Sequence, residues 1–156
     1  MEKNESINEI LNDLVKINND RIAGYQKAIG ESKDLDIDLK ALFESMIRES
    51  EEYKNELSAE IVANHGTVEN DTTSSGKIYR AWMEIKSTFT DADRHSILAS
   101  CEFGEDAAQR AYEAALASPS LTDEKIKALV QEEQIALKKS HDEIKKQRDA
   151  HEALKK

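Results

Sequence analysis

The chain has 156 residues, a formal net charge of -10 and a pI near 4.9. That is one ordinary domain, long enough to bury a single core, and its acidity argues against nucleic acid or an anionic membrane surface as partner, because phosphate binding needs a basic footprint. One proline and five glycines among many Ala, Leu, Ile, Glu and Lys residues starve turns and strands and predict an all-α protein.

Over residues 6–29, Ile7, Leu11, Leu14, Ile17, Tyr25 and Ile29 recur at helical spacing, and Gly30 stands where a C-terminal cap belongs. Asn18 and Arg21 fall inside that apolar stripe. An arginine there needs an anion to meet it or a path for its head to water. The short link from Glu31 to Asp36 leads into a second helix over residues 37–64, with the stripe Leu39, Leu42, Phe43, Met46, Tyr53, Leu57 and Ile61. Ser50 lies in the stripe and Glu49 at its margin. So short a link makes the two helices antiparallel neighbours.

His65-Gly66 and the segment TVENDTTSSG read as a loop by composition. A short helix over 77–87 carries Ile78, Trp82 and Ile85 on one face, and Thr90 with Asp93 resembles a capping box for a third long helix over 91–117. There, Ile97, Leu98, Cys101, Ala108, Ala111, Tyr112, Ala115 and Leu116 share one face at about 100° per residue, with Glu105 among them and Glu102 at the edge. Phe103 lies on the opposite face, where the Trp82 helix or a second subunit would cover it. A fourth helix over 122–150, started by Thr122 with Asp123 and Glu124, carries Ile126, Leu129, Val130, Leu137 and Ile144. Glu133, Gln134 and His141 lie in or beside its stripe, and beyond Ile144 the charged sequence is expected to fray.

Helices of about 27 residues are about 40 Å long, and the connection from Gly66 to Thr90 has the reach to travel that length. The third helix is therefore expected to run parallel to the second, the ferritin-like arrangement as opposed to simple up-down-up-down. Residues 1–156 are read as one such four-helix bundle with an extra short helix in its crossover.

The misplaced polar residues all fall near mid-bundle: Asn18, Arg21, Ser50, Glu105, Glu133, Gln134 and His141. Di-iron carboxylate proteins place their metals at that height with Glu-x-x-His pairs. Here Val62, Ala92, Lys138 and Arg148 stand three residues ahead of the four histidines, so the motif is missing. The preferred account pairs Arg21 with Glu105, Glu133 or both, filling by charge the space a cation would occupy. The alternative has Glu49, Glu102, Glu105, Glu133 and His141 binding iron or manganese. A third reading is a small-molecule pocket lined by the same layer.

No serine or cysteine nucleophile has a positioned base, and there is no Gly-rich phosphate loop. Cys101, alone in the chain, forms neither a disulfide framework nor a thiolate metal cluster and reads as a small core residue. The segment MEKNESINEI offers no apolar h-region and no later apolar run reaches about 18 residues, which predicts a soluble cytoplasmic protein with no membrane partner.

The segments NDL at Asn12 to Leu14, Gly24-Tyr25, Lys40 to Phe43 with Glu56-Leu57, GKIYRAWMEIK, CEFGED followed by AYEAAL, and His141-Asp142 together resemble a family of uncharacterised bacterial four-helix-bundle proteins. That family is a domain of unknown function placed in the ferritin-like superfamily. The resemblance spans nearly the whole chain and implies a ferritin-like fold and a bacterial, cytoplasmic setting. It supplies no reaction, and the superfamily's metal ligands do not carry over where the histidine motifs are missing. The expected function is non-catalytic, without a cofactor: a structural or interaction role, stress-associated in one form, in which outer faces such as Trp82 and Phe103 meet a protein partner or a second copy. A divergent di-iron or manganese oxidase or metal-binding protein is the alternative.

Overall fold

The computed structural model describes residues 2–31, 37–69 and 94–155. Among them are four helices: α1 (Glu2–Glu31), α2 (Ile37–Ala63), α3 (Arg94–Ala117) and α4 (Glu124–Lys155). The short helix expected over 77–87, Trp82 with it, and the Thr90 capping box lie outside the described residues.

Gly30 was expected to cap the first helix, yet it lies inside α1, which continues to Glu31. A glycine in a helix interior costs only about 1 kcal/mol. At the end of α2 the left-handed cap is His65, with φ 62°. Gly66 N–H donates to the Ile61 carbonyl at 2.8 Å and His65 N–H to that of Val62 at 3.0 Å, the paired bonds of a Schellman closure. Asn8 and Asn12 of α1 then hold the chain that leaves it. Asn8 Nδ2 donates to the Asn64 carbonyl, Asn12 Nδ2 donates to that of Thr67, and Asn12 Oδ1 accepts from Glu69 N–H.

Pro119 ends α3, as a residue without an N–H should. The N-cap of α4 is Asp123 and not Thr122, because Asp123 Oδ1 accepts from the N–H of Lys125 at 2.9 Å and of Ile126 at 3.2 Å. The expected fraying beyond Ile144 does not occur before Lys155. Good helix formers carry α4 past the end of its buried stripe.

Apolar side chains gather into two clusters. One joins Ile7 to Ile17 of α1 with Leu57 and Ile61, Ala108 to Ala115, and Ile126 to Leu137. The other joins Tyr25 and Ala28 with Leu39 to Met46, Ile97 to Cys101, and Ile144. Cluster membership fixes direction: α1 and α4 run from the first cluster to the second, α2 and α3 from the second to the first. Hence α2 and α3 are parallel, with α2 ending and α3 beginning at opposite ends of the bundle. Each helix packs against antiparallel neighbours, α1 on α2 and α3, α4 on α3, with α2 meeting α4 along a thin seam.

Candidate functional site

Between the clusters each stripe is interrupted by polar residues: Asn18 and Arg21 on α1, Ser50 on α2, Glu105 on α3, and Glu133 with Ser140 on α4, all of them buried. At the centre is Arg21, with no exposed surface. A guanidinium has five N–H groups, and each finds an acceptor. Nε pairs with Glu105 Oε1. Nη1 donates to Ser50 Oγ at 2.9 Å and to the Met46 carbonyl at 3.4 Å. Nη2 faces Glu49 Oε1 at 2.8 Å and Met46 Sδ at 3.3 Å. The Tyr25 ring lies beside it, its centroid 5.6 Å from Cζ.

Burial alone would push the Arg21 pKa down, but the carboxylates of Glu105 and Glu49 raise it above the ordinary arginine value. The cation is permanent. Tyr25 donates its hydroxyl to Glu105 Oε1 at 2.9 Å, and burial followed by the Glu105 charge holds its own proton on well above the usual phenol range. Glu49 has two further donors, Ser140 Oγ at 2.8 Å on Oε1 and the Tyr53 hydroxyl at 3.2 Å on Oε2.

A second motif lies one step toward the first cluster. Tyr112 donates to Glu133 Oε1 at 2.7 Å and accepts from Asn18 Nδ2 at 2.9 Å. Oε2 of Glu133 is shut away from solvent without a hydrogen-bond donor. Burial, and then the nearby carboxylate of Glu56, push the Glu133 pKa up to about 9, against the lowering effect of the Tyr112 hydrogen bond. Burial thus favours the neutral, protonated form of Glu133.

The structure thus brings Arg21 together with Glu49, Ser50 and Glu105, and Asn18 with Glu133 through Tyr112. It places the other sequence candidates elsewhere. Gln134 is half-buried at the α3–α4 contact, its backbone carbonyl accepting from Gln109 Nε2. His141 and Glu102 are on that same contact, outside the mid-bundle layer, with Asp106 as their neighbour. Phe103 points outward, 55% exposed. Ser140 is the layer's α4 member that the sequence reading passed over in favour of adjacent His141. Counting the stripe as 126, 130, 133, 137, 140, 144 would have found it.

These positions decide how a metal centre fits. A di-metal site would need Glu49, Glu105 and Glu133 free to converge on cations with a histidine among them. Glu49 and Glu105 instead converge on the guanidinium, Glu133 is held by the Tyr112 hydroxyl, and His141 is on another face. The mid-bundle residues do not fit a di-metal group.

The family model for a domain of unknown function, DUF2383, matches residues 6–118. The chain belongs to that family. None of the curated proteins compared with the chain matches it. The matched span holds Asn18, Arg21, Glu49, Ser50 and Glu105, so all of the Arg21 centre except Ser140 is within it, whereas Glu133, Gln134 and His141 on α4 are beyond it. No helix among the described residues is long and apolar enough to cross a membrane.

Proposed function

We propose that this chain is a ferritin-like bundle whose mid-bundle centre is a fixed guanidinium instead of a metal pair, and that its role is structural or interactive and not catalytic. The parallel course of α2 and α3 is the chain direction of that fold class. The observation that carries the reading is Arg21: fully buried, every N–H bonded, and faced by two carboxylates that a di-metal centre would use. Its setting is a bacterial cytoplasm, and its partner a protein or a second copy met on outer faces such as that of Phe103.

The test is metal content. The untagged full chain, produced with iron and manganese supplied and passed through gel filtration, is compared with Glu105→Ala. The expected result is that Glu105→Ala changes nothing in bound iron or manganese. About two equivalents, lost in Glu105→Ala, would overturn the reading and make the chain a metal-dependent oxidase or storage candidate. Sedimentation analysis and crosslinking address the interaction role; a strictly monomeric chain with no partner would count against it.

A further inference from the structure

Outside the Arg21 centre, among the described residues, one group of side chains has the composition and spacing of a metal site. Glu102 and Asp106 are four residues apart on α3, hence on one face one turn apart. His141 of α4 meets them across the helix contact, and a ligand atom from each of the three lies within 4.8 Å of the others. His141 Nε2 is 2.5 Å from Asp106 Oδ1. Its other ring nitrogen, Nδ1, is 3.1 Å from Asp142 Oδ1. When Nδ1–H donates to Asp142, Nε2 directs a lone pair at a carboxylate oxygen, and only a proton or a cation relieves that approach. A carboxylate on the far nitrogen is also what orients histidines that ligate metals.

Glu102 is the third member. Its Oε2 is closed to solvent, and the Arg148 guanidinium stands against it as an ion pair. A strongly held positive charge is therefore already at the site's edge. Arg148 is on α4, partly exposed, and its Nη2 also faces Asp149 at 3.1 Å.

We propose that Glu102, Asp106 and His141 form a site for a single divalent transition-metal ion of the zinc type, with Asp142 as the residue that positions His141 and Arg148 as the internal competitor. One imidazole and two carboxylates select Zn2+ or Co2+ over Mg2+ and Ca2+, which favour all-oxygen sets. Water completes the coordination. Because its ligands come from α3 and α4, the ion ties these two helices together, so binding stabilises the fold. The site is separate from the mid-bundle layer, and its metal depends on His141 where a di-metal centre would depend on Glu105.

The experiment is calorimetric titration of the full chain with zinc chloride at neutral pH and moderate salt, with Co2+ absorbance as a second readout of imidazole ligation. Wild type is expected to take up a single equivalent, with a rise in Tm and cobalt ligand-field bands. His141→Gln and Asp106→Asn should lose all three signals while keeping wild-type circular dichroism. Asp142→Asn should bind about 10-fold more weakly. Arg148→Gln should bind several-fold more tightly, an outcome that a merely structural salt bridge would not give. Zinc uptake undiminished by His141→Gln, or no stoichiometric uptake by either wild type or Arg148→Gln, would overturn the proposal. In the first case the ion is on the acidic surface at large, and in the second the cluster is an ion-pair network.

Discussion

Replacing Arg21 by methionine removes the cation that Glu105, Glu49 and Ser50 share at the centre of the layer. The consequences differ by acceptor. Ser50 and Met46 are neutral and lose little. Glu49, 23% exposed, keeps Tyr53 and Ser140 and can turn toward water. Glu105, 1% exposed, is left with the Tyr25 hydroxyl as its donor. The cost therefore falls mainly on one stranded carboxylate, about 3–5 kcal/mol for a broken buried pair. Glu105→Leu alone strands the guanidinium against Glu49 and costs about 3 kcal/mol, the lower end of that range. If the two effects were independent, the double variant Arg21→Met/Glu105→Leu would lose about 6–8 kcal/mol, which is a large share of a domain's stability. With both charges gone and volume conserved, it should instead come within about 2 kcal/mol of wild type. Urea unfolding at neutral pH, read as midpoint and slope for all four proteins, measures the cycle. A single substitution costing under about 1 kcal/mol, or a double variant that loses the full sum, would refute the assignment of Arg21 as the centre of the layer.

Glu133→Gln should remove a pH dependence. The folded-state pKa of Glu133 is raised to about 9 from 4.5, so the stability it contributes is fully present below the unfolded value and is lost as pH rises through the folded one. Wild-type stability should therefore fall between those limits by at most about 1.4 kcal/mol per pH unit from this group. The Gln variant should flatten the slope in pH-resolved unfolding curves, and an unchanged slope would place the shift elsewhere. His65→Gly should stabilise by about 1 kcal/mol, since glycine adopts the left-handed cap without strain; a loss in Tm would contradict the cap. Gly66→Ala should destabilise, because its Cβ would fall 2.5 Å from Asn8 Nδ2 and 2.9 Å from Ile61 Cγ2. Asp123→Ala should cost about 1 kcal/mol by removing the cap of α4, while Thr122→Ala should be near neutral in thermal melts.

The helices were legible because apolar side chains recur so regularly that a polar residue in the stripe stands out, whereas their directions rested on the reach of the connection from Gly66 to Thr90 and not on the stripes. Arg21, Glu105, Ser50 and Glu133 were found in that way, and Arg21 with Glu105 pairs as the stripe suggested. Glu133 was not the partner of Arg21: Tyr112 holds it instead, and a hydroxyl on a core tyrosine carries no sign of its target in one sequence. His141 and Gln134 each follow a true stripe position by one, and on a helix one residue is 100°, enough to move a side chain from core to groove. Asp106, which joins Glu102 and His141 at the α3–α4 contact, was hidden for a related reason. Asp106 is ordinary on an acidic helix until α4 brings His141 against it, and that pairing depends on helix rotation, which periodicity fixes only coarsely. Asp123 over Thr122 was a choice between two good caps that only the backbone settles.

The uneven helix contacts bear on how the chain assembles. The α1–α2 and α3–α4 hairpins are broad, while the joint between them rests on α1 with α3 and on the thin α2–α4 seam. Within the first hairpin, Arg21 meets Ser50 and Glu49, so two of its partners are on the helix next to its own and the third is across the joint on α3. The joint between the hairpins has one setting that supplies the Glu105 carboxylate. A slip of one turn, about 5.4 Å, would move Glu105 off the guanidinium toward the side chains of Ile17 or Tyr25, leaving two buried charges unpaired where an all-apolar joint would slide with little penalty. The same residue that lowers the gain from burial therefore gives the two hairpins a unique alignment, and a variant with both charges removed should fold to a bundle that is as stable and less singular.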